Sequence, residues 1–221
     1  RPYGKHPLHR HLLSRMSSDL YLPKVQSFGY LDELKHMLEI LNQAKARAYA
    51  FFRRCTLPTP EIMSLMKTGG HEFGLHLEDS RSVETFREEK ATLERHIGHP
   101  IRSLSKHGSG GSKYGLRHHA PYEPDRYIDW ARQNGMKIFM GNLEDPTMQP
   151  TNGNGLIVFP SAFWLEPGWR DTQKFNEEWL MKAAPQRDVV MLVHPENVFV
   201  SEGLTQSFIR IVNSLETKIL Q

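Results

Sequence analysis

Two patterns of hydrophobic residues alternate along the chain, one typical of helices and one typical of strands. Leucines recur at spacings of three and four between Leu31 and Leu41, which predicts an amphipathic helix. Short runs rich in apolar residues predict strands at 11–17, 47–53, 72–77, 101–105, 136–140, 156–159 and 189–193. Because helical patterns separate most of these runs, we predict a parallel sheet. About seven such units fit a closed or nearly closed α/β barrel as well as an open sheet.

Capping residues mark where the predicted helices begin and end. Thr59 and Pro60 predict the start of one helix and Gly70 its end. By the same signals, further helices are predicted at 82–98, 124–135, from 172 onward and at 204–219. The five consecutive apolar residues at 189–193 predict a parallel strand that is covered on both faces.

The length and composition of the chain predict a single folded domain. The chain has 221 residues, of which 38% are hydrophobic, and this is enough to bury a substantial core. Cys55 is the only cysteine, so no disulfide forms within one chain, and its surroundings predict an inert thiol. Residues 1–10 are basic and polar, and we expect a flexible or peripheral segment there.

The charge pattern argues against nucleic acid as a partner. The 28 basic and 25 acidic residues are interspersed, whereas nucleic-acid binding favours a clustered basic stripe. No apolar run approaches the roughly 18 residues of a membrane helix. With no secretory signal visible, we expect a soluble protein of the cytoplasm, and the oligomeric state stays open.

Polar residues with metal-ligand chemistry follow four of the predicted strands. These residues are Asp19, His76, His107 and His194. Parallel strands bring their carboxyl ends together, and nitrogen and oxygen ligands of this kind suit zinc with one position left for water. Taken singly, each residue also fits a turn, a helix cap or a loop. Together they predict a metal or catalytic site.

The string Gly70-His71-Glu72-Phe73-Gly74-Leu75-His76 resembles the second motif of the polysaccharide deacetylases, the NodB-homology group of carbohydrate esterases. The apolar runs 48–52 and 190–194 resemble the strand before that motif and the family's last motif. The resemblance spans roughly residues 11–200 and is greatest to the divergent WbmS-like branch found with surface-polysaccharide genes. It implies a single domain with a (β/α)7-type distorted barrel of parallel strands.

The chain departs from the family pattern at three places. Ser18 precedes Asp19 where the family has two aspartates, so Asp19 is implied as a metal ligand but the base is missing. Ser80 stands where the second motif supplies another histidine ligand, and the third motif is replaced by the string that contains His107. Either the site has been rebuilt or the metal site has decayed and the protein only binds sugar.

A rebuilt site assigns each role to a residue nearby. The resemblance implies Asp19 and His76 as metal ligands, and His107 would replace the missing one. Glu78 is the first choice for the base. It lies two residues after His76, and side chains two apart on a strand point the same way, so Glu78 would face the metal as His76 does. Asp79 is the second choice. His194 would be the general acid.

The resemblance also implies a reaction. With one divalent metal ion, zinc above all, the protein would remove an N-acetyl group from an amino sugar of a surface polysaccharide or its O-antigen precursor. Two alternatives stay open: a catalytically inactive glycan-binding protein on the same fold, and a hydrolase of another N-acyl amide such as N-formyl. Comparing acetylated and formylated amino sugars separates the two enzymes.

Three residues near the strand ends are predicted to bind the sugar substrate. Trp164 offers an aromatic face, with barrel packing as the alternative. Asn142 offers an amide donor, although asparagine after glycine is equally typical of a turn. Arg54 offers a cation for an acidic or nucleotide-linked sugar, with a solvated position at a strand end as the alternative.

Overall fold

The chain forms a mixed α/β fold around a mostly parallel sheet. The computed structural model describes residues 16, 20, 30–108, 119, 122–199, 201–217 and 219–220. The strands are β1 (Tyr49–Phe52), β2 (Glu72–Leu77), β3 (Ser103–Lys106), β4 (Ile138–Leu143), β5 (Thr151–Gly153), β6 (Leu156–Ser161), β7 (Phe163–Trp164) and β8 (Met191–Leu192). The α-helices are α1 (Tyr30–Gln43), α2 (Pro60–Gly69), α3 (Val83–Ile97), α4 (Pro124–Gln133), α5 (Glu177–Ala183), α6 (Pro195–Val198) and α7 (Glu202–Ser214).

The sheet follows the order β1-β2-β3-β4-β6-β5, and β7 pairs with β8 in a second, two-stranded sheet. All neighbouring strands are parallel except β5 and β6. Only Ala162 separates β6 from β7, so the chain passes directly from pairing with β4 to pairing with β8. The parallel sheet predicted from the alternating pattern is confirmed. The predicted strand 11–17 lies outside the described residues, and the closed barrel stays a prediction.

Helix limits follow the local capping chemistry. The hydroxyl of Thr59 accepts a hydrogen bond from Ile62 N at the start of α2, and Ser82 does the same for Thr85 N at the start of α3. Both helices end at a glycine with positive φ, as predicted, because glycine adopts the left-handed conformation without strain.

Two predicted helices are longer than those in the structure. The helix predicted from 172 begins later, because the Asp171 carboxylate binds the next amides in a turn and Asn176 provides the cap of α5. The last helix ends at Ser214 rather than at 219, because Leu215 takes an extended conformation.

Strands β5 and β7 were not among the predicted strands. Strand β5 is joined to β6 by Asn154 and Gly155, which both have positive φ and so form the tight turn that suits a two-residue hairpin. The prediction of full burial at 189–193 is wrong, since these residues are only half-buried. Among the described strands, β8 pairs with β7 alone. One edge of β8 therefore has no neighbouring strand in this part of the chain, unlike a strand in the middle of a sheet.

Much of the core packs between the sheet and its helices, and His71 is buried just before β2. Phe86, Leu104, Tyr127 and Phe139 are fully buried between the sheet and its helices. His71 Nδ1 accepts a hydrogen bond from Ala48 N at 3.0 Å, and its Nε2 donates to Asn42 Oδ1 at 2.9 Å. His71 therefore ties the start of β2 to β1 and α1. None of the helices in the described part of the chain is long and apolar enough to cross a membrane.

Candidate functional site

Three histidines lie at the carboxyl ends of β2, β3 and β8. His76 is the fifth residue of β2, His107 directly follows β3, and His194 lies two residues after the end of β8. His76 Nε2 is 3.1 Å from His107 Nδ1, with the two rings edge to face. Burial above all, and then the charges of Arg53, His194 and Lys106, hold the pKa of His76 well below its ordinary value of 6.5. His76 is therefore neutral at pH 7, as a metal ligand must be.

His194 is paired with a fully buried carboxylate. Glu166 Oε1 accepts hydrogen bonds from His194 Nδ1 at 2.9 Å, from His194 N at 3.1 Å and from Asn197 Nδ2 at 3.1 Å. Glu166 itself has no exposed surface. Because the carboxylate accepts from Nδ1, the proton of the neutral imidazole lies there, and Nε2 is the nitrogen available for proton transfer.

Two tryptophans surround the His194 ring. Trp164 pairs in register with Leu192, so His194, two residues later, shares its face of the sheet. The ring centroids of Trp164 and Trp169 lie 5.6 and 5.4 Å from that of His194. Trp164 Nε1 is buried and has no hydrogen-bond partner among the described residues. The ring of Trp164 packs in the interior, beside the histidine predicted as the acid.

The two predicted bases have different surroundings. Glu78 follows β2 directly, with Oε1 3.3 Å from Arg53 Nη1 and Oε2 3.4 Å from Cys55 Sγ. Asp79 is almost fully buried, and both of its carboxylate oxygens accept from the Arg81 guanidinium at 2.8 and 2.7 Å. Both carboxylates are buried. The bidentate pair with Arg81 occupies both oxygens of Asp79, whereas one guanidinium nitrogen and a thiol contact Glu78, and which of the two is the base stays a prediction.

The remaining predicted binding residues lie near the same edge. Asn142 is inside β4 rather than in a turn, and its side chain accepts from Ser105 Oγ and donates to Lys106 O. Both ends of its amide therefore contact β3. Arg54 is half-buried in the 3₁₀ turn Arg54–Thr56, one residue after Arg53. Its role in substrate binding stays a prediction.

Lys106 connects two backbone segments beside the histidines. Its side chain is fully buried, and Nζ donates to the carbonyl oxygens of Gly108 and His119, both at 3.3 Å. The rings of Tyr122 and Tyr127 lie 5.8 and 5.7 Å from Nζ. Burial lowers the pKa of Lys106 to about 8. Lys106 thus holds residues 108 and 119 together at the end of β3.

The histidine pair fits a zinc ion in donor type. His76 Nε2 and His107 Nδ1 lie within hydrogen-bond distance of each other at 3.1 Å, and imidazole nitrogens are ordinary zinc ligands. His76 Nδ1 is buried and lacks a hydrogen-bond partner in the described part of the chain. Asp19 lies outside the described residues. Within the described residues, no group of three or more His, Cys, Asp or Glu side chains is arranged to hold a metal ion.

Two contributors to this site were missed by sequence reasoning. Glu166 lies 28 residues before His194, so no local pattern connects them, although it follows a predicted aromatic binding residue by two positions. Glu89 lies on α3 and contacts the backbone of Glu78 and Asp79. One feature of the sequence indicates that Glu89 is buried: it lies on the same face of the helix as the apolar residues Phe86 and Leu93.

Comparison of the chain with protein-family models and with curated proteins finds no match. The resemblance to the polysaccharide deacetylases therefore stays a prediction.

Proposed function

We propose that this protein is a metal-dependent hydrolase that removes an N-acetyl group from an amino sugar of a surface polysaccharide or its precursor. The observation that carries the proposal is the approach of His76 Nε2 and His107 Nδ1 to 3.1 Å at the carboxyl ends of β2 and β3, with His194 and its buried partner Glu166 at the carboxyl end of β8. The proposal includes action in the cytoplasm, where such precursors are built.

The metal ligands would be His76, His107 and Asp19. A bound zinc ion supplies a water whose pKa is lowered to about 7 and polarises the acyl oxygen. The low pKa of His76 keeps its imidazole neutral, so no proton competes for the ligand nitrogen.

Two side chains near the ligands, Glu78 and His194, each carry out one of the two proton transfers. Glu78 accepts a proton from the attacking water, while Arg53 and the Cys55 thiol orient its carboxylate. His194 donates a proton from Nε2 to the departing amine, so that a neutral amino sugar leaves. Glu166 keeps the Nδ1 proton in place and stabilises the imidazolium that precedes this donation.

The aromatic side chains supply the surface for the sugar. Trp169 is half-exposed next to His194, and its ring face suits the apolar face of a pyranose. Trp164 lies behind it with a centroid distance of 5.2 Å and supports its orientation. Arg54 would contact an acidic group of the substrate.

The test is zinc content measured together with hydrolysis of N-acetylated and N-formylated amino sugars. We expect about one zinc ion per wild-type chain, lost in His76→Ala and His107→Ala and retained in the exposed control His36→Ala. Acetate release favours the deacetylase and formate release the alternative hydrolase. A wild type that takes up no zinc from a zinc-containing buffer contradicts the proposal and favours the inactive glycan-binding protein.

A further inference from the structure

The loop after β2 is fixed by a buried carboxylate from the neighbouring helix. Glu89, which is only 1% exposed, extends from α3 towards the end of β2. Its Oε2 accepts from Glu78 N at 3.0 Å, and its Oε1 accepts from Asp79 N at 2.9 Å. Each oxygen of one carboxylate thus holds one of two consecutive backbone amides, and charge-assisted hydrogen bonds of this kind are the stronger ones.

The same residue, Glu78, is also held through its side chain. Arg53 Nη1 lies 3.3 Å from Oε1, and the Cys55 thiol donates to Oε2 at 3.4 Å. The backbone of Glu78 is therefore held by α3 and its carboxylate by the chain after β1. A reaction is faster when the general base is already held in the position from which it takes the proton of the attacking water.

We infer that Glu89 is a positioning residue, which holds the Glu78 backbone so that the carboxylate stays beside Arg53 and Cys55 at the histidine site. This inference rests on the proposed role of Glu78 as the base. Removing one acceptor oxygen of Glu89 would release the loop, and the Glu78 carboxylate would leave Cys55.

The chain contains its own reporter of this movement. Cys55 is the only cysteine of the sequence, is 2% exposed and touches Glu78, so a thiol reagent modifies this position alone. The variant is Glu89→Gln, whose new NH₂ group faces one of the two backbone amides. The matched control is Glu94→Gln on the same helix, where Oε1 accepts from Lys90 and from Ile101 N, which precedes β3.

The experiment measures alkylation of Cys55 by iodoacetamide, followed by intact mass, and the steady-state kinetics of deacetylation. We expect the alkylation rate of Glu89→Gln to rise about tenfold through local opening, with the rate of Glu94→Gln unchanged. We expect kcat of Glu89→Gln to fall about tenfold while KM stays within about twofold, because the substrate surface is untouched.

Two results would overturn the inference. One is an alkylation rate in Glu89→Gln equal to that of the wild type, which means that Glu89 does not hold the loop. The other is fast alkylation with an unchanged kcat, which means that the loop position does not matter for the reaction. If the wild type hydrolyses no acylated amino sugar, the proposed function fails, and the alkylation rates still decide whether Glu89 holds Glu78 against Cys55.

Discussion

Glu166 Oε1 lies 2.9 Å from His194 Nδ1, and Glu166 is fully buried while His194 reaches the edge of the site. The same oxygen accepts from the His194 backbone and from Asn197, so the carboxylate holds both the ring and the start of α6. This arrangement selects the tautomer of His194 and stabilises its protonated form. A fully buried residue thereby determines which nitrogen of His194 carries the proton.

Removing the charge of Glu166 is expected to slow the reaction without unfolding the protein. Glu166→Gln keeps the size of the side chain but no longer stabilises an imidazolium at His194. We expect kcat for deacetylation to fall roughly 100-fold, with little change in KM. The measurement is steady-state kinetics together with the melting temperature of the variant.

Glu177→Gln is the matched control for this prediction. Glu177 pairs with Arg210 on an outer face, so its loss removes one ion pair and leaves His194 untouched. Equal activity in both variants and the wild type would show that Glu166 has no part in the reaction.

The two adjacent acidic residues are expected to respond in opposite ways. Glu78→Gln removes the proposed base, and kcat should fall roughly 100-fold at nearly constant stability. Asp79→Asn breaks the pair with Arg81, which should cost about 1–2 kcal/mol of unfolding free energy and leave kcat within about threefold. Urea denaturation and kinetics of both variants test this, and the reverse pattern would make Asp79 the base.

The stability of the fold is expected to fall in mild acid. Burial, and secondarily the charge of Arg47, lowers the pKa of His71 from its ordinary value of 6.5. His71 binds a proton more readily in the unfolded chain than in the folded protein. Its contribution to the free energy of unfolding is therefore complete above about pH 6.5 and is lost as the pH falls through the folded-state pKa of His71. The low pKa of His76 acts in the same direction.

Urea midpoints at about pH 7.5 and about pH 5 measure this loss. His71→Asn keeps an acceptor for Ala48 N but does not titrate, so its midpoint should fall less between the two pH values. His36→Asn, at an exposed position of α1, should keep the wild-type loss. Identical losses in His71→Asn and the wild type would rule out His71 as a source of the pH dependence.

Gly141 is expected to tolerate no side chain. A Cβ at this position would overlap the Pro160 carbonyl oxygen, because β4 and β6 approach closely where their register shifts between Met140 and Leu143. Backbone atoms cannot move aside as a flexible side chain can, so Gly141→Ala should cost about 1–3 kcal/mol. Gly153→Ala is the control, since its Cβ meets open space, and urea denaturation compares the two. Equal stabilities would refute the close approach.

The sequence by itself determined most of the elements and their order. Period-two and period-3.6 patterns, with caps at Thr59, Ser82 and Gly98, depend on contacts within a few residues, and these are readable along the chain. The same patterns put His76, His107 and His194 at strand ends. Because parallel strands share a direction, the closeness of His76 and His107 could be predicted as well.

Tertiary structure decided the partners of these residues. Glu166 and Glu89 reach His194 and Glu78 only after helices and strands pack, and the pairs lie 28 and 11 residues apart. Burial then decided the protonation of His76, since its pKa depends on the removal of water. Hydrogen bonds between distant segments and the cost of desolvating charge leave no periodic signal in a sequence, and they exist only once the sheet and its helices are assembled.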